Sequence, residues 1–249
     1  MGDSILEKHN QKIKFIVYRI VSRFGISLLR RLFPEYFAKE PLAPTDRYIE
    51  YPFIIRNLPK PPAKVLDVGC SGSFFPLLLA SFGYDTYGID IRNYPILNKL
   101  KFKNFTFVKG DIKESPFPNS YFDVITAIST IEHIGISGRY GIEDDPEGDK
   151  KALEEMVRIL KPQGAILLTI PFGKGKVIKP YMRVYDESRL KDLVRDCIIE
   201  LEEYYIQDDT DNWIECSKED TLLVDVKFDK YPLCLLKLKI KNEIDPSQA

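Results

Sequence analysis

The chain has 249 residues, with 36 Lys and Arg against 37 Asp and Glu, so a single large domain with an appendage is within reach. Its 44% hydrophobic and 12% aromatic content excludes disordered, collagenous and coiled-coil classes. The net charge of -1 argues against a dedicated nucleic-acid binder, which normally carries a strong basic excess. Cys70, Cys197, Cys216 and Cys234 contain no C-x-x-C pair, so neither a zinc knuckle nor a disulfide scaffold is expected. No apolar run approaches the ~20 residues of a membrane span, and no signal-peptide pattern opens the chain. The expected location is the cytoplasm.

Residues 1–60 carry eleven Lys and Arg against six Asp and Glu. Within them Ile13, Ile16, Val17, Ile20, Val21, Phe24 and Leu28 fall on one stripe of a helix, and Lys8, Lys12, Arg19, Arg23 and Arg30 flank it. Gly25 weakens this helix and Pro34 ends it. Pro41, Pro44, Pro52 and the stretch Leu58 to Pro62 predict extended or turned backbone. The expected organisation is an amphipathic basic helix with a Pro-rich linker over 1–60, then a domain over 61–249. The helix has three possible roles: covering an acceptor site, forming a homodimer, or touching the inner face of a membrane peripherally.

From Ala63 onward, short β-type runs alternate with helical patterns, which predicts parallel strands joined by crossover helices. Strands are expected at 64–68, 85–89, 105–108, 122–128 and 165–170. A helix is expected at 149–160, where Ala152, Met156, Ile159 and Leu160 face inward, and another near 186–195. Two β-rich segments, 197–207 and 233–240, predict an antiparallel hairpin at the sheet edge.

The sharpest chemical signal is VLDVGCSGS, Val65 to Ser73, followed by the helical FFPLLLASF. A strand, a small-residue turn at Gly69 and Gly72, and a helix N-terminus form a cradle that lets a ligand approach the peptide plane. Asp90, at the end of YGID, follows Gly69 by about the twenty residues that separate such a cradle from a ribose-binding carboxylate. VKGDI then places Asp111 and Ile112 at the same sheet edge, so three acids, Asp67, Asp90 and Asp111, end consecutive strands. Any one of them alone could cap a turn or a helix.

This ordered set resembles the class I S-adenosylmethionine-dependent methyltransferases over roughly Ala63 to Ile240. YFDVITAISTIEH (Tyr121 to His133) is similar to their fourth strand and LKPQGAILLTIP (Leu160 to Pro171) to their L-K-P-G-G segment. The resemblance implies a Rossmann-like, mostly parallel seven-stranded α/β sheet with an antiparallel edge hairpin. It also implies S-adenosylmethionine as cofactor, contacted by Asp67, Gly69, Cys70, Ser71, Gly72, Asp90, Ile91, Asp111, Ile112 and Ser129. Ser71 and Ser73 stand where the family usually has glycine, so the turn must be built differently. A nicotinamide enzyme would share the cradle, but no Y-x-x-x-K pair is present; an aminopropyltransferase is a further relative of the fold. The signatures of DNA amino and cytosine methylation are missing.

On the acceptor side, His133 can take a proton near neutral pH, with Glu132 beside it; the alternative is a histidine satisfied by hydrogen bonds at a strand end. Ser129 replaces the first Glu of an E-x-x-E-H metal motif, so no metal is expected. The polar segment 135–148 reads as a lid, with Arg139 and Tyr140 as acceptor contacts. Lys174, Lys176, Lys179 and Arg183 can bind an acceptor's phosphate or carboxylate, or form a solvated basic loop. The combined pattern resembles poorly characterised methyltransferase-like families associated with glycan biosynthesis. It implies O-methylation of a sugar, glycan precursor or other small molecule; a non-catalytic binding module at a membrane surface is the competing class.

Overall fold

The computed structural model describes residues 45–71, 73–99, 102–138, 143–228 and 230–241, with Val17, Ile20, Val21, Phe24, Gly25, Leu28, Arg31 and Leu32. The chain divides into two compact units, Met1–Ala43 and Pro44–Ala249. In the first, all eight described residues are helical. Lys8, Lys12, Arg19, Arg23 and Arg30 lie outside the described residues.

The second unit begins well before residue 61, where the domain was expected to start. Helix α1 (Arg47–Asn57) runs straight through Pro52, instead of the extended chain its prolines suggest. Proline removes one backbone donor and crowds the preceding turn, at a cost of about 3 kcal/mol. Full burial of Phe53 and Ile54 outweighs that cost.

The order then follows the expected alternation: β1 (Lys64–Val68), α2 (Phe75–Ser81), β2 (Asp85–Asp90), α3 (Pro95–Lys99), β3 (Phe105–Lys109) and β4 (Phe122–Ile128). Helix α4 (Gly148–Ile159) leads into β5 (Leu160–Pro171). A small antiparallel pair, β6 (Lys176–Ile178) and β7 (Met182–Val184), precedes α5 (Glu187–Leu193). Strands β8 (Cys197–Gln207) and β9 (Trp213–Cys216), the short α6 (Lys218–Thr221) and β10 (Leu233–Ile240) complete the unit.

The main sheet has eight strands in the order β3-β2-β1-β4-β5-β10-β8-β9. Strands β1 to β5 are mutually parallel, while β10 pairs antiparallel with both β5 and β8. Two features depart from the expected seven strands. The four-residue β9 caps the edge, and β6 with β7 forms a separate two-stranded sheet within the Gly- and Lys-rich segment.

Alternating side chains fill both faces of the sheet. Val65, Val124 and Leu167 pack with Phe53 and Ile54 of α1 and with Phe75 and Leu79 of α2. Leu66, Ile125 and Leu168 pack against Ala152, Met156 and Ile159 of α4 on the other face. The chain moves from β1 outward to β3 and then returns to β4 on the far side of β1. That reversal opens a crevice beyond the carboxyl ends of β1 and β4, where open α/β sheets bind ligands.

Candidate active site

A cavity of about 310 Å³ occupies this crevice. Its wall contains Gly69, Ser71, Asp90, Ile91, Asp111, Ile112, Ser129 and His133, which the sequence places at the ends of four strands. Asp67 and Cys70 lie buried behind the turn, and Glu132 is buried behind His133. Gly72, Arg139 and Tyr140 fall outside the described residues.

The turn after β1 gives Ser71 a defined place. Ser71 adopts φ 53°, a left-handed conformation that favours glycine. Ser71 N–H donates to Asp90 Oδ2 at 3.0 Å, and its hydroxyl lies 3.2 Å from Tyr94 Oη. Gly69 has φ +67°, and a Cβ there would sit 2.3 Å from Thr130 Cγ2. Only glycine fits without displacing the β4 terminus.

Asp90 is held from four directions. Its Oδ1 accepts Arg92 N–H at 2.9 Å and Arg92 Nε at 3.1 Å; its Oδ2 accepts Ser71 N–H and Arg92 Nη2, the latter at 3.1 Å. These fill the roughly four lone-pair positions of a carboxylate. A ligand hydroxyl would have to replace the Arg92 side chain here, while the two backbone donors keep the carboxylate oriented. Asp111 caps the 3₁₀ turn Ile112–Glu114, accepting Lys113 N–H at 2.9 Å. Asp67 accepts the Thr126 hydroxyl at 2.8 Å, yet burial lifts its carboxyl to about 7. Burial also raises the Cys70 thiol, which keeps it un-ionised.

His133 Nδ1 lies 2.6 Å from the Tyr181 carbonyl oxygen, which can only accept. Nδ1 therefore carries hydrogen, and in the neutral ring Nε2 has the lone pair. Nε2 is 3.6 Å from Glu132 Oε1. Glu132 is 1% exposed, its Oε2 has no hydrogen-bond partner among the described residues, and burial drives its pKa well above the usual carboxylate range. The two groups lie side by side at the cavity wall.

The basic residues after β5 lie elsewhere. Lys174 is exposed, Lys176 Nζ donates to the Val226 carbonyl, and Lys179 pairs with Asp144. Arg183 is 5% exposed and donates to the carbonyls of Ile134 and Asp145, the latter at 2.9 Å. Its Nε is 3.7 Å from Asp149 Oδ2, which also accepts Tyr185 Oη–H at 2.8 Å. Arg183 thus fastens the two ends of the polar segment after His133, beside a second cavity.

Sequence reasoning missed Arg47, Thr130, Arg92 and Lys113, all in the cavity wall. Arg47 sat in a stretch read as linker. Its neighbour Glu50, fully buried, accepts hydroxyls from Ser129 at 2.5 Å and Thr169 at 2.6 Å and pairs with Arg47. The signal available was Asp46-Arg47-x-x-Glu50, a helix cap followed by an i,i+3 pair.

A family model described as "Methyltransferase domain" matches residues 66–168, from β1 to β5. These residues are similar to a methyltransferase domain. The domain includes the cradle, the three acids and the Glu132–His133 pair. Phosphoethanolamine N-methyltransferase 3 of Arabidopsis thaliana is 29% identical over 179 residues, covering 65% of this chain and 33% of the relative. The ubiquinone/menaquinone biosynthesis C-methyltransferase UbiE of Vibrio parahaemolyticus is 38% identical over 84 residues, 33% of this chain and 27% of the relative. The chain thus spans a third or less of these relatives' length. A SAM-dependent methyltransferase from Methanosarcina mazei has the same fold, with a TM-score of 0.54 at 17% identity, covering 77% of this chain and 99% of that one. The [4+2]-cyclase SpnF also shares it, with a TM-score of 0.56 at 14% identity, covering 78% and 80%.

The methyltransferase domain uses S-adenosylmethionine, and the residues fit it. Asp90 would meet its ribose diol and Asp111 and Ile112 would border its adenine, all three lining the same cavity as Gly69. When bound, the cofactor supplies an activated methyl group on a sulfonium.

Proposed function

We propose that the protein transfers a methyl group from S-adenosylmethionine to a hydroxyl of a small molecule, on a sugar or glycan precursor. The observation that carries this reading is the His133 ring, held by Tyr181 at Nδ1 with Nε2 beside Glu132. A hydroxyl must lose its proton as it accepts a methyl, and the pair can take that proton at His133 Nε2. Positioning in the crevice supplies the larger share, about 7 to 11 kcal/mol, and base assistance about 10²- to 10⁴-fold. Radiolabelled methyl transfer to a panel of sugar, lipid-linked glycan, amine and phenol acceptors tests the reading. Labelling of hydroxyl acceptors, with His133→Ala lowering kcat about 100-fold or more at unchanged S-adenosylhomocysteine affinity, supports it. Transfer confined to amines, or unchanged turnover in His133→Ala, refutes it.

A second reading, peripheral contact with an anionic membrane, is favoured by the N-terminal unit. Val17, Ile20, Val21, Phe24, Leu28 and Leu32 are helical and each more than half exposed. Residues 1–43 carry eight Lys and Arg against four Asp and Glu. No helix among the described residues is long and apolar enough to cross a membrane. Co-sedimentation with anionic vesicles by the full chain, lost in a chain starting at Pro44, supports contact; equal pelleting of both removes it.

A further inference from the structure

The small sheet of β6 and β7 packs with the chain that links α6 to β10. Val226, 3% exposed, lies on Met182 and Val184, with Ile178 and Tyr231 at the edge of the cluster. Lys176 Nζ donates to the Val226 carbonyl, and Tyr231 Oη–H donates to Asp46 Oδ2 at 3.1 Å. These contacts anchor the linking chain without using its remaining apolar residues.

Two turns project from this packing. Tyr181 N–H donates to the Ile178 carbonyl at 2.7 Å, closing turn 178–181, and Lys227 N–H donates to the Lys230 carbonyl at 2.8 Å, closing turn 227–230. The turns meet through Tyr181 and Phe228, whose ring centroids are 4.1 Å apart. Both rings stay open to solvent, Phe228 at 50% and Tyr181 at 36%, and Leu223 on the same linking chain is 81% exposed. Residues 174–181 and 222–231 together hold five Lys against two Asp. Lys174, Lys179 and Lys227 are exposed. Asp144 pairs with Lys179 and Asp225 lies 4.0 Å from Lys227, but exposed ion pairs of this kind are weak and yield to a stronger anionic partner.

An exposed aromatic pair among lysines matches the boundary of an anionic bilayer. Aromatic rings settle at headgroup level there, lysine stems lie along apolar surface, and their ammonium groups meet lipid phosphates. We infer that the tip formed by turns 178–181 and 227–230 docks on an anionic membrane surface. Tyr181 serves both the tip and the active site, since its ring is in the tip and its carbonyl accepts the His133 Nδ1 hydrogen at 2.6 Å. Docking therefore brings the His133 side of the cavity to the headgroup layer. The tip does this whether or not the N-terminal unit also meets lipid.

Fluorescence of the full chain tests the docking. Trp213 is the one tryptophan, so Trp213→Phe combined with Phe228→Trp leaves a single reporter in the tip. Vesicles of equimolar phosphatidylcholine and phosphatidylglycerol should shift its emission to the blue, and brominated acyl chains should quench it. In the otherwise native chain, Phe228→Ser should weaken vesicle binding about 10-fold or more and Lys227→Gln about fivefold, both at unchanged thermal unfolding. Phosphatidylcholine alone should bind more weakly than the mixture. Absence of vesicle binding, binding without quenching at position 228, or equal binding by Phe228→Ser overturns the docking surface. A dimer in vesicle-free solution that Phe228→Ser dissociates also overturns it, and gives the tip to a second copy of the chain.

Discussion

The carboxylate of Glu50 accepts the Ser129 hydroxyl at 2.5 Å, joining positions 79 residues apart. One end of that bond is in a helix ahead of the sheet; the other ends β4 at the cofactor crevice. The helix is therefore part of the site.

A chain starting at Leu58 should fail to fold, because it loses Phe53 and Ile54, both fully buried, along with Glu50. Each large buried side chain is worth about 2 to 5 kcal/mol, against a total stability of about 5 to 15 kcal/mol. A chain starting at Pro44 should melt cooperatively and bind S-adenosylhomocysteine as the full chain does. Thermal unfolding with titration checks both; a folded, ligand-binding chain from Leu58 would refute the claim.

Arg183 joins the carbonyls of Ile134 and Asp145 and faces Asp149 from a buried position. Arg183→Met leaves Asp149 without its cation, so a loss of about 3 to 5 kcal/mol is expected. Turnover should fall more than cofactor affinity, since the fastened segment borders His133 and not the adenine position. Urea denaturation and steady-state kinetics separate the two effects.

Gly69→Ala places a Cβ 2.3 Å from Thr130 Cγ2 and 2.6 Å from its Oγ1, at a backbone φ of +67°. The left-handed conformation alone costs about 1 to 2 kcal/mol. Cofactor binding should be lost at accessible concentrations. Adding Thr130→Ala removes both clashing atoms and should restore binding in part, leaving the backbone cost. No rescue in the double variant would place the damage elsewhere.

Asp67 has a folded pKa of about 7, raised by burial above the unfolded value of about 3.9. Between these values the folded state keeps a proton that the unfolded chain releases, so stability declines as pH rises, by at most about 1.4 kcal/mol per pH unit. Above the folded value the penalty is complete and constant. Asp67→Asn retains an acceptor for the Thr126 hydroxyl and loses this slope. Denaturant unfolding of both proteins from about pH 5 to 8 should show the variant gaining on wild type up to about 7. Parallel curves would mean that Asp67 ionises normally.

Much of this was legible in the sequence because the parallel strands are buried on both faces and bounded by Gly, Pro and Asp. Lys64–Val68 and Phe122–Ile128 appear where their apolar runs predict. The acids at 67, 90 and 111 were legible because each ends such a run. Pro52 misled, since packing of Phe53 and Ile54 overrides local propensity, and Arg47 was lost with it. Arg183 read as a ligand-binding cation because its acceptors are backbone carbonyls, which leave no trace in residue identity. The short pairings at 176–184 and 213–216 lack the length for a periodic signal.

Strand β10 pairs with β5 on one side and β8 on the other. During synthesis β5 therefore waits with an open edge while more than sixty further residues emerge, and unpaired edges of that kind recruit other chains. Chaperone demand in the cell should peak in that interval, and a ribosome stalled before Leu233 should expose a nascent sheet prone to co-aggregate with its neighbours on the same message.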